Sequence, residues 1–151
     1  MPTTKNSEPA VRIRLAQTAA EIARVHPVMR ELRPHLPNEK AFVAQARRQM
    51  TEGFRLVYLE SVGEVRAVAG YRVFEILFSG RTLYVDDLVT RDGDRSRGFG
   101  GQLFDWLVAE ARRENCRQFS LDSGVQRFDA HRFYLRKRME IAAHHFTLAL
   151  G

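Results

Sequence analysis

The chain is short of cysteine and of long apolar runs, and each shortage excludes a class of protein. Cys116 is the one cysteine in 151 residues, so an internal disulfide framework and a cysteine-based metal cluster are both excluded. No apolar run is long enough to cross a bilayer, and the polar residues 1–9 lack the apolar stretch of a signal peptide. We therefore expect a cytoplasmic protein with no membrane partner.

Two common nucleotide-binding patterns are missing as well. The sequence has no G-x-x-x-x-G-K-[ST], which disfavours a P-loop kinase or ATPase. It has no G-x-G-x-x-G with a following acidic residue, which disfavours a Rossmann dinucleotide site. Two adjacent histidines, His144 and His145, fall on an expected strand, and no further ligand stands at metal-binding spacing. We therefore expect no bound metal.

Positive charge is what the sequence has in excess. The formal net charge is +6 and the sequence pI is about 10.1. Such a field favours anionic partners, which include nucleic acid and phosphate-rich cofactors. The arginines are spread along the chain, and the sequence contains no recognition helix, zinc-finger spacing or stacking-aromatic signature. Nucleic acid is therefore the disfavoured partner of the two.

The length suits one domain, and the hydrophobic periodicity predicts its elements. We expect a disordered tail over residues 1–10 and a single domain over residues 11–151. Hairpins come first and helical crossovers later, which predicts an α/β fold with a central mixed sheet, antiparallel in its first part, and helices on both faces. The expected strands are 11–15, 55–60, 65–77, 82–90, 117–121 and 141–150, and the expected helices are 19–32 (capped by Thr18), 40–50, 98–115 and 128–138.

The strongest chemical signal is the segment R-S-R-G-F-G-G at residues 95–101, which follows a strand and opens a helix. A helix N-terminus leaves N–H groups unpaired and carries partial positive charge. Glycines let the backbone approach a ligand closely, and successive amides form an anion-binding concavity. Arg95 and Arg97 would add charge-assisted hydrogen bonds. The segment therefore predicts a phosphate site.

This segment also resembles the [QR]-x-x-G-x-[GA] signature with which GNAT acetyltransferases bind coenzyme A. The segment Y-V-D-D-L-V-T at residues 84–90 is similar to the fourth strand of that family, and A-H-R-F-Y at residues 130–134 is similar to its last helix. The expected element order is similar from residue 11 to residue 150. The resemblance thus covers nearly the whole chain and implies a GNAT-like acyl-CoA N-acyltransferase fold with acetyl-CoA as co-substrate.

The resemblance also implies roles for individual residues. Tyr134 would protonate the departing thiolate. Arg127 stands where many members have an asparagine that faces the pantetheine arm, and Arg138 departs from the glycine common after the helix. Strand 84–90 would pair with that arm, and the glycine segment would hold the pyrophosphate. The implied cofactor-binding residues are Leu88, Val89, Thr90, Arg95, Ser96, Arg97, Gly98, Phe99, Gly100, Gly101 and Arg127.

Asp86 and Asp87 are the candidate bases for the attacking amine. Neighbouring strand residues point to opposite faces unless a bulge intervenes, so only one of the two is expected to face the amine. We favour Asp87 for contact with the amine and Asp86 for proton transfer through a water. Glu75 is a weaker candidate on the substrate side. Asp122 either lines the acceptor pocket or caps the last helix.

The sequence thus predicts an N-acetyltransferase that moves the acetyl group of acetyl-CoA to a primary amine by direct attack. The alternative is a non-catalytic module of the same fold that binds or senses coenzyme A. The acceptor is an amine of a small molecule or of a protein, and no residue pattern tells which. The exposed edge of the final strand could pair with a second copy, so a homodimer is one open oligomeric state.

Overall fold

The computed structural model describes residues 9–151, and the tail predicted for residues 1–10 lies almost entirely outside them. The first nine of the ten predicted elements are confirmed in order and position, within two residues of the predicted ends. The strands are β1 (Val11–Leu15), β2 (Arg55–Ser61), β3 (Glu64–Ile76), β4 (Gly80–Thr90) and β5 (Gln118–Leu121), and the helices are α1 (Ala19–Leu32), α2 (Glu39–Met50), α3 (Phe99–Arg113) and α4 (Phe128–Arg136).

The predicted final strand is wrong. Residues 141–150 form neither strand nor helix, and all their side chains are exposed. Their composition suits a strand, but β-propensity mainly reports how well a side chain fits a paired and half-buried surface. A strand needs a neighbouring backbone to bond with, and this segment has the sequence of a strand without a partner.

Backbone contacts divide the described residues into two compact units, one that ends at Ser120 and one that spans residues 121–151. The first unit holds the sheet, whose strand order is β1-β2-β3-β4-β5. The first four strands pair antiparallel, with Ile13 opposite Leu59, Val57 opposite Ala69, and Val68 opposite Val89 as reference points. β5 joins the edge of β4 after the α3 crossover and makes the sheet mixed, as predicted.

Both faces of this sheet are covered, because its central strands bury both sets of alternating side chains. Leu56 and Tyr58 of β2 belong to the apolar cluster that α1 and α2 cover. Val57 and Leu59 point the other way and are fully buried, and α3 packs against β2, β3 and β4. Near-continuous apolar runs such as those of β2 and β3 are typical of strands buried on both faces.

The two helices at the N-terminal end of the chain are fixed by their caps and by the loop between them. Thr18 and Glu21 form the predicted capping box of α1, and the Asn38 side chain caps α2. Pro27 lies inside α1 without ending it. The ring Nε2 of buried His26 lies 2.8 Å from the Leu36 carbonyl oxygen, which ties the loop of residues 33–38 back onto α1. Among residues 9–151, none of the helices is long and apolar enough to cross a membrane.

Candidate active site

The glycine-rich segment has the backbone geometry that an anion site requires. Gly98 precedes α3 with φ 86°, and Ser96 has φ 70°, so left-handed residues alternate with others and turn successive N–H groups inward. The N-cap residue of α3 is Gly98, which has no side chain with which to cap the helix, and the first turn of α3 has no acidic residue. The unpaired N–H groups of that turn therefore suit a pyrophosphate.

Asp94 holds this loop in shape. Its side chain is buried and forms ion pairs with Arg91 (2.7 Å), Arg97 (2.9 Å) and Arg66 (3.2 Å). Burial alone would raise the pKa of Asp94, but hydrogen bonds from Arg91, Arg97 and Arg66 outweigh it and leave that pKa below its usual value. One buried carboxylate thus gathers three cations and fixes the turn that leads into α3.

The two arginines predicted to contact phosphate differ in their surroundings. Arg95 is exposed. The Arg97 guanidinium donates to Asp94 and stands 5.0 Å from the centroid of the Phe99 ring. The Arg97 backbone N–H also donates to the Asp94 carbonyl, at 3.3 Å. The donor capacity of Arg97 is therefore largely used inside the loop, and the backbone N–H groups that follow Arg97 are the stronger candidates for the anion.

Gly100 has a packing role that the motif does not reveal. A Cβ at this position would lie 2.7 Å from Oγ1 of Thr90, so glycine is what lets α3 approach the end of β4. The Arg117 N–H donates to the Arg81 carbonyl at 2.7 Å, which sets β5 beside the first part of β4. Leu88, Val89 and Thr90 lie at the other end of β4, and their role beside the pantetheine arm stays a prediction.

A β-bulge in β4 brings both candidate aspartates to one cavity. Gly70 pairs with Asp87 and Tyr71 pairs with Val85, so Asp86 is an extra residue on β4. Such a bulge interrupts the alternation of side chains. Asp86 and Asp87 consequently line the same cavity. The bulge removes the alternation on which the choice between them was based, and which of them faces the amine stays a prediction.

Each of these aspartates already has an arginine partner. Arg72 donates to both carboxylate oxygens of Asp86, the shortest bond being 2.6 Å. The Nε of Arg33 donates to Asp87 at 2.7 Å, and the same guanidinium donates to the Asp86 carbonyl at 3.0 Å. Arg72 comes from the neighbouring strand, whereas Arg33 comes from the loop after α1 and its side chain remains 39% exposed.

Asp87 lies in a tight and poorly hydrated position. Burial raises the pKa of Asp87 above its usual 3.8, although the hydrogen bond and charge of Arg33 lower it. A Cβ on Gly70 would stand 2.5 Å from the Phe54 ring and 2.8 Å from Oδ2 of Asp87. The glycine in β3 therefore makes the room in which this ring and this carboxylate meet.

The cavity has a volume of about 390 Å³ and draws its walls from α1, the following loop, α2 and β4. Its lining combines apolar side chains with the two aspartates and with two glutamines of α2 that bond to each other at 3.1 Å. The lining residues are Met29, Arg33, His35, Leu36, Phe42, Gln45, Ala46, Gln49, Phe54, Tyr84, Asp86 and Asp87. Such a mixed wall suits a compact molecule with one cationic end.

Glu75 does not line this cavity. It lies near the end of β3, opposite Arg81, and it is exposed. Its predicted role on the substrate side stays a prediction that this geometry does not favour.

The second unit holds the other predicted residues. Tyr134 lies on α4, its ring centroid 5.4 Å from that of Phe133, and burial raises the pKa of its phenol despite the opposing charge of Arg127. Arg127 itself is the N-cap residue of α4, so Asp122 does not cap this helix, and that alternative is wrong. Asp122 instead lies 3.4 Å from Nδ1 of His145.

Several residues that shape the site carried no recognisable sequence signal. Gly70 and Arg72 both lie on β3, whereas Arg33 and Phe54 come from two other parts of the chain. These three segments meet only through folding. Asp94 did carry a weak signal, because it is an acid placed among arginines just before the glycines. The remaining partners could be found only from the structure.

Comparison with known proteins gives the class of this chain. The family model described as the acetyltransferase (GNAT) family matches residues 14–139. The uncharacterized N-acetyltransferase YhdJ of Bacillus subtilis is 36% identical over 117 residues, which are 78% of this chain and 82% of that protein. The fold and these matches define an acetyltransferase. The chain belongs to the GNAT family.

Other similar proteins cover less sequence or share only the fold. The aminoalkylphosphonate N-acetyltransferase of Salmonella typhimurium is 36% identical over 66 residues, 44% of this chain and 43% of its own. The aminoglycoside N-acetyltransferase AAC(6')-Iy in complex with CoA has a TM-score of 0.83 at 12% identity, over 96% of this chain and 97% of that chain. The predicted enzyme class, an acetyl-CoA-dependent N-acetyltransferase with acetyl-CoA as co-substrate, is confirmed.

Proposed function

We propose that the chain transfers the acetyl group of acetyl-CoA to the primary amine of a small molecule, which binds in the cavity between the first two helices and β4. The observation that carries this proposal is the pair of carboxylates, Asp86 and Asp87, in the wall of a cavity of about 390 Å³. Two of the similar proteins are named for small amine acceptors, an aminoalkylphosphonate and an aminoglycoside, which supports a small amine as the acceptor here.

Arg33 indicates where the acceptor amine would bind. A cation already occupies the open side of Asp87, at 2.7 Å, and its side chain is half-exposed. The guanidinium end of this ion pair reaches solvent, since the Arg33 side chain is 39% exposed. Arg33 can therefore turn outward and leave its place beside Asp87 to a substrate ammonium. The apolar wall, which includes Phe42 and Phe54, would then hold the body of the acceptor.

The attacking amine must lose a proton, and the geometry favours Asp87 as the group that accepts it. Its raised pKa makes it a stronger base than an ordinary aspartate. Both oxygens of Asp86 are held by Arg72, which suits a residue that positions its neighbour. We therefore assign both amine contact and proton transfer to Asp87, and Asp86 becomes a positioning residue.

The thiolate of coenzyme A must gain a proton as it leaves. Tyr134 is the proposed donor, and its raised pKa means that the phenol keeps its proton at neutral pH. The backbone N–H groups that follow Arg97 are the proposed binding site for the pyrophosphate, and Leu88, Val89 and Thr90 are proposed to lie along the pantetheine arm. Direct attack of the neutral amine on the thioester then forms the amide and releases coenzyme A.

We do not retain the non-catalytic module as a function, because family membership and the relatives' activities support an enzyme.

The test is a screen of primary amines with acetyl-CoA, in which release of free thiol is measured. The panel contains aminoalkylphosphonates, aminoglycosides and arylalkyl amines, followed by lysine peptides. With the best acceptor, Asp87→Asn should lower kcat/KM by about 100-fold, the usual effect of losing a general base. Glu75→Gln is the matched control, because it removes an exposed carboxylate of the same sheet outside the cavity.

Folding should survive the Asp87→Asn change. Folding raises the pKa of the Asp87 carboxyl above 3.8. The free energy of unfolding therefore falls as pH rises from 3.8 through the folded-state pKa, and at neutral pH the ionised Asp87 destabilises the fold. The variant should therefore keep or raise the Tm of the wild type. Wild-type kcat and KM in Asp87→Asn would exclude this residue from the chemistry.

A further inference from the structure

His26 is a buried polar side chain that the proposed chemistry does not use. It lies on α1, is 4% exposed and packs against the ring of Phe42 on α2, with the ring centroids 5.1 Å apart. Its Nε2 stands 2.8 Å from the carbonyl oxygen of Leu36. Because a carbonyl oxygen can only accept, this nitrogen carries the hydrogen and acts as the donor. His26 thus gives a hydrogen bond from the interior to the loop of residues 33–38.

The loop of residues 33–38 has few other means of holding its shape. Two of its residues, Pro34 and Pro37, have no N–H to donate. Among the described residues, its one internal backbone bond is donated by the Leu36 N–H to the Arg33 carbonyl at 3.0 Å. Leu36 is therefore held through its backbone on both sides, by Arg33 and by His26. Without the bond to His26, the loop would keep only this turn and the helix caps at its two ends.

The same loop forms part of the wall of the acceptor cavity. Arg33, His35 and Leu36 line that cavity, whereas His26 does not. The Nε of Arg33 donates to Asp87 at 2.7 Å. The Arg33 side chain reaches solvent, so its place beside Asp87 depends on where the loop holds its backbone. Hydrogen bonds of 2.8, 3.0 and 2.7 Å therefore connect His26 to Asp87 through the loop.

We propose that His26 is a positioning residue of the acceptor site, and that its Nε2–H holds the loop so that the Arg33 guanidinium lies against Asp87. This role rests on the function proposed for Asp87. Three charged groups act on the Asp87 carboxylate, namely Arg33, Asp86 and Arg72, and only the first lies on the loop. Since Arg33 lowers the pKa of Asp87, a loosened loop should let that pKa rise. A residue that only filled the interior would leave it unchanged.

The test compares the acidic limb of the pH profile of kcat/KM for the acceptor in variants of His26. His26→Phe keeps a ring against Phe42 and removes the donor, so the limb should move to higher pH while KM for acetyl-CoA keeps its wild-type value. His26→Gln keeps an N–H donor of similar reach and should retain the wild-type limb. His26→Met is a second variant without a donor, for use if the Phe ring impairs folding, and it should shift the limb as His26→Phe does.

Two controls separate positioning from packing. Val25→Ala removes fully buried apolar atoms from the same helix, outside the cavity, so it should lower the Tm and leave the limb in place. In an Arg33→Ala background, His26→Phe should move the limb no further, because two changes that act through one contact are not additive.

Carbon-13 NMR titration of the Asp87 carboxyl, assigned by its absence in Asp87→Asn, makes the same comparison without turnover. If Asp87→Asn lowers kcat/KM but neither the limb nor the titration moves in His26→Phe and His26→Met, the proposal is overturned and the proposed function stands. A further shift of the limb by His26→Phe in the Arg33→Ala background would also overturn it. Wild-type kcat/KM in Asp87→Asn, together with a shifted titration in His26→Phe, would refute the proposed function and leave the placement of Arg33 by His26 supported.

Discussion

The loop proposed for pyrophosphate and the cavity proposed for the acceptor are built in different ways. The loop lies within residues 91–101, and Arg91, Asp94 and Arg97 of the same segment hold its shape. The cavity takes its charged groups from α1 onward, and residues as distant as Arg33 and Asp87 meet there. Backbone amides suit the pyrophosphate of the donor, because acetyl-CoA is the same molecule whatever the acceptor. Side chains from several elements can instead vary with the acceptor that the cavity binds. We infer that donor binding and acceptor selectivity are separable in this enzyme.

The largest expected separation comes from Gly70→Ala. The added Cβ would clash with the buried Phe54 ring at 2.5 Å and with Asp87 at 2.8 Å, so one of them must move. A displacement of about 1 Å in a reacting group can cost about 100-fold in rate, and we expect kcat/KM for the acceptor to fall by about that factor. The Tm increase caused by acetyl-CoA should be kept, which also shows that the variant is folded. A variant with wild-type kcat/KM would mean that Asp87 is not held in its working position by this contact.

Asp94→Asn should give the opposite pattern with a smaller effect. Arg66, Arg91 and Arg97 lose their common partner, and the loop before α3 loosens. We expect KM for acetyl-CoA to rise about tenfold with little change in KM for the acceptor. Loss of about 2 kcal/mol from a broken buried ion pair would lower the Tm by roughly 4–8 °C.

Acid should reproduce part of this loss in the wild type. The pKa of Asp94 is lowered in the folded chain, so its stabilising effect is present above the usual pKa of an aspartate and disappears as pH falls through the folded-state pKa.

Asp92→Asn is the control for Asp94→Asn, since Asp92 is an exposed acid of the same loop. Equal effects of the two substitutions on KM for acetyl-CoA would remove the special role of Asp94.

The same contrast explains what the sequence could and could not predict. The glycine segment was recognised because its chemistry is encoded by neighbouring residues, and the same holds for the Thr18–Glu21 capping box. Asp86 and Asp87 were identified, but the bulge that turns both into one cavity depends on the register between β3 and β4. Their arginine partners lie 14 and 54 residues away, and no local pattern links such pairs.

The prediction of a final strand was wrong for a related reason. Residues 141–150 have suitable side chains, but pairing is decided by the presence of a neighbouring backbone, which local propensity does not report. Family resemblance supplied the roles of Tyr134 and of the coenzyme A residues, and these stay predictions. Elements that form from local spacing were therefore predictable, whereas contacts between distant segments were not.

The smallest effect, and the sharpest test of the acceptor side, is expected from Arg33→Ala. If Arg33 occupies the place of the substrate ammonium, its removal ends the competition, and KM for the acceptor should fall by about fivefold, the equivalent of about 1 kcal/mol. The pH profile should change as well. Arg33 lowers the pKa of Asp87 against the effect of burial, so the pKa of Asp87 should rise when Arg33 is removed. The acidic limb of the pH profile of kcat/KM should then move to higher pH.

Arg30→Ala provides the matched control for this last measurement. Arg30 is an exposed arginine in the last turn of the same helix, α1, and it does not line the cavity, so it changes the net charge equally without touching Asp87. KM and the acidic limb should remain at their wild-type values in this variant. A higher acceptor KM in Arg33→Ala would mean that the guanidinium binds the acceptor directly, as it would an anionic group. In that case acceptor selectivity would depend on an arginine contact, and Asp87 would keep only its part in proton transfer.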